Sequence, residues 1–359
     1  MRWAWRIATI AGIPVYVHGT FAVLILFFLM SGLFQGRGAT AALGNVVFIL
    51  AIFATVILHE FGHALTAKHF GIRTRDITLL PIGGIARLER MPDVSRQELW
   101  VALAGPAVNV LIAIVCLALF VGGTGQLPML TLYPGETGVV GRFAAVNLTL
   151  ALFNLVPAFP MDGGRVLRAL LAEYFNYVRA TEIAARIGQG IAVVFGLVGL
   201  FANPWLLFIG LFVWMGAGGE AAATAMRGAL VGVPVSRAMM TDFRVVEAHS
   251  SLRDTMALAL TGGQKYFPVV SESTPQIVGV LSLDQLLSAL KLQGPNGVVR
   301  DVMTIEFETV NAGDSLDAAF SRLQGSSCPA LPVLQDGRLV GLLTGANVKT
   351  YAELRGIFK

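Results

Sequence analysis

Residues 45–68 constrain the fold more than any other stretch. Nothing is charged from residue 46 to residue 58, and a run of about 20 mostly apolar residues is long enough to cross the hydrocarbon of a bilayer. Inside lipid a single stretch satisfies its own backbone groups only as a helix. At its end come His59, Glu60 and His63. Helical residues four apart lie about 40° apart around the cylinder, so His59 and His63 face the same way. That places two imidazoles where one zinc ion requires them, and puts Glu60 one step round, able to take a proton from water at the metal. Ionisable groups in a membrane segment are costly and mark a functional site with a partner. The plainer alternative, packed polar residues at a helix end, leaves three polar groups in an apolar segment unexplained.

The rest of the chain fits a membrane protein. Only 13% of its residues are charged and 55% are hydrophobic, with a mean hydropathy of +0.71; a soluble domain carries about 25% charged residues. Apolar spans are expected near 17–34, 43–65, 99–121, 143–159, 187–201 and 204–217, about six transmembrane helices in all. Residues 1–14 have no signal-peptide layout and read as an interfacial strand or arm. The 40 glycines suit close helix packing in lipid. Cys116 and Cys328 support neither a disulfide framework nor a CxxC metal site. Cys116 reads as core.

Loop charge sets an orientation. Arg2 and Arg6 precede the first span; Lys68, Arg73, Arg75, Arg87, Arg90 and Arg96 follow the second; Arg165, Arg168, Arg179 and Arg186 follow the fourth. The intervening loops offer only Arg37 and Arg142, and the turn at Asn203 none. The positive-inside rule then puts both termini in the cytoplasm, with spans two and four ending on that side. The net charge of +4 reflects these loops, and no nucleic-acid partner is expected. Arg165, Arg168 and Arg179 read as a solvated or headgroup-facing run.

A catalytic zinc takes three protein ligands and keeps one position open. His69 lies in a basic loop, and His18 has no partner pattern near it. The stronger candidate is Asp162, in Phe153-Asn154-Leu-Val-Pro157-Ala-Phe-Pro160-Met-Asp162-Gly163-Gly164-Arg165, on the same membrane side as His63. Two prolines and a glycine pair break the helix there. Asp162 as the cap of a helix starting near Arg165 competes on geometry. Between spans two and three, two apolar stretches flank Pro81, Gly83 and Gly84 and read as a hairpin. Beside the site it would suit an extended peptide adding as a strand; a surface turn between helices is the equal alternative. Asn147 reads as a polar contact between helices.

The domain plan is a membrane-embedded part over 1–220, an Ala- and Gly-rich linker over 221–232, and a soluble repeat over 233–359. Val235-Ser-Arg-Ala-Met239-Met240-Thr241 recurs as Val298-Val-Arg-Asp-Val-Met303-Thr304, Tyr266-Phe-Pro268 as Ala330-Leu-Pro332, and Val278-Gly279-Val-Leu-Ser282 as Val340-Gly341-Leu-Leu-Thr344. A period slightly above 60 residues gives two copies of a small α/β module, about 233–292 and 296–357.

These motifs carry a resemblance. His59-Glu60-x-x-His63 at the end of one membrane helix, followed by Asn154-x-x-Pro157-x-x-x-x-Asp162-Gly163, resembles the site-2 protease family of intramembrane zinc metalloproteases, over roughly 12–214. The Gly105-Pro106-Ala107-Val108-Asn109 stretch is similar to one that family carries. The resemblance implies one zinc held by His59, His63 and Asp162, with Glu60 as general base and acid. It places Asn154 near the substrate backbone, with Gly83, Gly84 and Asn109 as further substrate contacts, and the hairpin resembles the family's membrane-re-entrant hairpin. It also implies a substrate that is itself a membrane protein, and a multi-pass position in the plasma membrane of a bacterium or archaeon. The tail resembles a pair of CBS domains, cytoplasmic here, which implies homodimer formation and an adenosine nucleotide near Ser282, Asp284, Thr344 and Asn347. The usual Gly-x-x-Ser/Thr-x-x-Asp pattern ends here in Gln285 and in Asn347, and a purely structural dimerising tail is the equal alternative. The rival reading is a transporter or channel with a CBS tail, in which His59, Glu60 and Asp162 line an ion path.

Overall fold

The computed structural model describes residues 3–36, 38–81, 83–89, 94–126, 138–272 and 276–357. Arg2, Arg37 and Arg90 of the charge pattern, and Ile82 at the hairpin tip, lie outside the described residues. The chain divides into two units, Met1–Ala222 and Ala223–Lys359.

The first unit opens with strands β1 (Ala4–Ile10) and β2 (Ile13–His18), followed by helices α1 (Gly19–Phe34) and α2 (Ala39–His69). Strands β3 (Thr74–Leu80) and β4 (Gly83–Leu88) come next, then α3 (Ser95–Thr124), α4 (Gly138–Asn154), α5 (Asp162–Leu171), α6 (Tyr177–Phe201) and α7 (Trp205–Leu230). Among the described residues α2, α3, α6 and α7 are long and apolar enough to cross a membrane, while α1 and α4 are apolar but shorter. The short pair end where backbone chemistry stops them. Residues 13–18 belong to a strand, and α4 stops at Asn154 rather than near 159 because Pro157 and Pro160 lack the N–H that would continue it.

The arm and the hairpin form one four-stranded sheet in the order β1-β2-β3-β4. Only β2 and β3 run parallel, pairing Val15 with Ile77, and α1 and α2 supply the crossover a parallel pair needs. Ile13, Val15 and Ile77 are buried against Phe61 and Ala64 of α2, so the sheet lies on the turn of α2 that carries the histidine motif.

Helix α7 continues to Leu230, so most of the stretch read as a linker is helical. Glu220-Ala-Ala-Ala-Thr-Ala-Met-Arg227 is rich in strong helix formers, which outweigh the glycines before it.

In the second unit the first copy holds β5 (Val246–Glu247), α8 (Leu252–Gly262), β6 (Tyr266–Val270), β7 (Ile277–Ser282) and α9 (Leu283–Gln293). The second holds β8 (Val310–Asn311), α10 (Leu316–Gly325), β9 (Ala330–Gln335), β10 (Arg338–Thr344) and α11 (Gly345–Ile357). Each lead-in crosses to the other copy. Met240 bridges Leu342 and Thr304 bridges Val280, while Val235 and Ala238 join the core of the second copy and Val299 that of the first. A Cβ at Gly341 would stand 2.6 Å from Met239 Sδ, and one at Gly279 2.6 Å from Met303 Sδ. The repeated methionine and glycine are therefore the two sides of one contact, made twice.

Candidate metal centre

The 3.6-residue period of α2 stacks His59 over His63, and both are buried, at 6% and 5% exposure. Asp162, 8% exposed, arrives as the first residue of α5, after the proline-interrupted turn that ends α4. The three outer ligand atoms form a small triangle. His63 Nε2 lies 3.1 Å from His59 Nε2 and 3.1 Å from Asp162 Oδ2, and His59 Nε2 lies 3.2 Å from Asp162 Oδ2. Ligands at about 2.0 Å around a tetrahedral zinc stand about 3.3 Å apart, so this triangle fits one zinc with a fourth corner open. It is the one such cluster among the described residues.

The inner nitrogens are held as a metal site requires. His59 Nδ1 lies 2.6 Å from Asn109 Oδ1, and His63 Nδ1 lies 2.7 Å from the Val101 carbonyl oxygen. Facing acceptors, both Nδ1 atoms carry the proton, which turns the lone pairs of both Nε2 atoms to the metal. Asn109 Nδ2 donates to Asn147 Oδ1 at 3.0 Å, and Asn147 Nδ2 donates to the Phe143 carbonyl at 3.0 Å, so the orientation of His59 is anchored through α3 into α4. Asn147 is the interhelical contact expected of it. Asn109, expected beside substrate, is 1% exposed and supports His59. A Cβ at Gly105 would stand 2.7 Å from His59 Nε2 and would overlap His63 Nε2. Both rings thus lie on the backbone of α3, where only glycine fits.

Glu60 points towards the hairpin. Its Oε2 accepts a hydrogen bond from the Ala86 backbone N–H at 3.0 Å, and a Cβ at Gly84 would stand 2.6 Å from its Cγ. Strand β4 ends the sheet, and in an antiparallel pair alternate residues turn their N–H and C=O away from the partner. Ala86, and Gly84 two residues before it, present those groups on the free edge beside Glu60. Asn154 is the half-buried last residue of α4.

A second buried group lies on the same short helix. Arg168 is 0% exposed. Its Nε donates to Glu98 Oε1 at 2.8 Å, a terminal nitrogen also contacts that oxygen, and the other donates to Glu220 Oε1 at 2.5 Å. Its guanidinium also lies 5.1 Å from the Phe159 ring centre and 4.8 Å from that of Tyr177. This corrects the reading of Arg168 as part of a solvated run; Arg165 is half-buried and Arg179 exposed. The acid beside it comes from 70 residues away in sequence, beyond the reach of any local pattern. Cys116 is half-buried rather than core.

In the second unit Ser282 caps α9 by accepting from the Gln285 N–H, and Gln285 returns a bond to the Ser282 N–H at 2.9 Å. Gln285 Nε2 also donates to Thr304 Oγ1 at 2.8 Å. Thr344 Oγ1 lies 2.5 Å from Asn347 Oδ1. Asp284 is exposed in the first turn of α9.

Comparison with known proteins bears on the family of the chain. The model of peptidase family M50 matches residues 47–133 and 133–195, and that of the CBS domain matches 235–292 and 299–352. A zinc metalloprotease of Methanocaldococcus jannaschii is 30% identical over 354 residues, spanning 97% of this chain and 96% of the relative. The stage IV sporulation protein FB of Bacillus subtilis is 26% identical over 176 residues, 47% of this chain and 58% of its own. The solved site-2 protease from Methanocaldococcus jannaschii shares 37% identity, covering 61% of this chain and 95% of that one, with a TM-score of 0.45.

Proposed function

The chain belongs to peptidase family M50, the site-2 proteases, and is a membrane-embedded zinc metalloprotease with a CBS pair; from that premise we propose that it cuts a peptide bond in or near a transmembrane segment of another membrane protein. His59, His63 and Asp162 hold the zinc and Glu60 moves the proton. The observation that carries this assignment is the buried triangle of Nε2, Nε2 and Oδ2, with both Nδ1 atoms already tied to acceptors.

A zinc held there would polarise the scissile carbonyl and lower the pKa of water towards about 7. Glu60 would take a proton from the attacking water and return it to the leaving amine. A substrate helix hides its carbonyls in hydrogen bonds and must unwind; pairing with the free edge of β4 at Gly84 and Ala86 offsets part of that cost. Glu60 now occupies the Ala86 N–H. An arriving strand needs the same donor for its own carbonyl, so docking releases the Glu60 carboxylate as the substrate reaches it. Gly83 lies at the start of this edge, and Asn154, at the end of α4, faces the substrate backbone.

Counting α1 and α4 as short spans gives six crossings, and the arginine distribution supports cytoplasmic termini, with the site near that face. The CBS pair acts as a regulatory or dimerising tail. An adenosine nucleotide there would meet Ser282, Asp284, Thr344 and Asn347, with Gln285 in place of the usual acid. The transport reading has no observation in its favour.

Elemental analysis of zinc per chain tests the assignment. The natural sequence should carry one zinc, and Asp162→Ala should lose most of it. Full retention in Asp162→Ala would remove Asp162 from the ligand set.

A further inference from the structure

The membrane unit holds a second polar site, lined on α2 by residues about 10–21 Å along the helix from His59 at about 1.5 Å of rise per residue. A cavity of about 380 Å³ opens there between α1, α2 and α4. It lies at the end of α1, the early turns of α2 and the first turns of α4, away from the metal centre. Four of its lining residues are polar: Ser31, Gln35, Asn45 and Arg142.

Arg142 is the unusual member. Its guanidinium carbon sits 4.1 Å from the centre of the Phe48 ring, and Phe143 packs edge-on against the same ring with centres 6.1 Å apart. Its Nε is buried and has no hydrogen-bond partner. Buried polar atoms almost always have a partner, and leaving one on a cation unsatisfied costs more than on a neutral group. Stacking on Phe48 engages the face of the guanidinium and fixes its plane, leaving the N–H edge for a planar or tetrahedral anion. Gln35 Nε2 donates to Ser31 Oγ at 2.9 Å, so the Ser31 hydroxyl proton remains to be given to a second acceptor.

The remaining walls choose among anions. Phe28, Ile49 and Ile52 line the same cavity, and a small hydrated ion gains nothing from them. An anion with an apolar body does. A phospholipid is such an anion, its charged phosphate joined to apolar acyl chains. We propose that the cavity between α1, α2 and α4 seats the headgroup phosphate of an anionic bilayer lipid, with Arg142, Ser31 and Asn45 on the phosphate and the start of its acyl chains along Phe28, Ile49 and Ile52.

The test is native mass spectrometry of the full chain, released from neutral phosphatidylcholine nanodiscs doped with phosphatidylglycerol. The natural chain should retain one phosphatidylglycerol. Arg142→Gln should weaken retention about tenfold, the loss of one charge-assisted contact. Arg142→Lys should fall between them, because an ammonium keeps the charge but loses the stacked fork. Zinc per chain should stay unchanged throughout, which certifies the fold. If Arg142→Gln does not fold, Phe48→Leu, which keeps the charge and removes the ring beneath it, carries the test; it should lower retention severalfold. Natural-level retention in whichever of these variants folds would overturn the proposal. So would displacement of the lipid by inorganic phosphate or by acetate at matched concentration, which would make this a site for a free anion or a carboxylate.

Discussion

The metal centre, with its histidines on α2, and the arginine cluster, with Glu220 on α7, share helices α3 and α5 and face opposite needs. Helix α5 carries Asp162 at its start and Arg168 further along. Helix α3 carries Glu98, then Val101, Gly105 and Asn109. At one end two imidazoles and a carboxylate converge, with no arginine or lysine among the described residues in hydrogen-bond contact with them. At the other, two carboxylates converge on a cation that the chain supplies itself. The first arrangement is a ligand set that could hold a metal as its cation; the second carries its own cation and ties α3, α5 and α7 together, with Glu98 Oε2 alone left without a partner. In both, a buried charge is tolerated because it is paired.

The comparison makes the two ends separable by mutation, and the largest effect belongs to the base. Glu60→Gln should reduce cleavage by about 10²–10⁴-fold while zinc per chain stays at the natural value; cleavage by this variant at the natural rate would remove Glu60 from the chemistry. Next comes Arg168→Met. Breaking a buried ion pair from one side costs about 3–5 kcal/mol, so its unfolding midpoint in detergent should fall sharply. Adding Glu98→Gln to it should recover part of that loss, since the uncompensated carboxylate goes too. If Arg168→Met were as stable as the natural chain, the cluster would not be a lock.

Asn109→Leu should be milder and should move the other observable. It frees His59 Nδ1 and also removes the Asn109–Asn147 bond between α3 and α4, and loss of such a support weakens metal binding by about 10–100-fold. Titration against a zinc chelator reads this directly. An unchanged zinc affinity would mean that His59 keeps its orientation without Asn109. The smallest effect is expected at Ala86→Pro, on an edge strand where proline is tolerated. It removes the N–H that Glu60 and the substrate strand share. The KM for a transmembrane peptide in proteoliposomes should rise a few-fold, with kcat equal to or above the natural value; an unchanged KM would separate the hairpin from substrate docking.

The two ends also differ in how far they could be read from sequence. His59, Glu60 and His63 were legible because their relation lies within one helical turn, fixed by the backbone period alone. The same holds for the doubled Met-Thr and Val-Gly segments of the tail, where repetition itself is the signal. Asp162 was reachable as an isolated carboxylate beside chain-breaking residues, but its contact with His63 spans 99 residues. Arg168 was misread because its neighbours in sequence, Arg165 and Arg179, suggest a basic loop, whereas its partners Glu98 and Glu220 lie on other helices.

The sequence alone determined the membrane-crossing character of the long helices, the paired imidazoles with a base beside them, and the twofold repeat of the tail. Each depends on spacing within one element or on direct recurrence, and local backbone geometry enforces both. Tertiary structure decided which carboxylate completes the triangle, which carbonyl and amide hold the imidazoles, and that arm and hairpin join as one sheet through Val15 and Ile77. It also decided that each repeat lends its lead-in to the other. Those outcomes turn on which surfaces pack within about 4 Å of one another, and that is settled only when helices and strands distant in the chain bury their faces together.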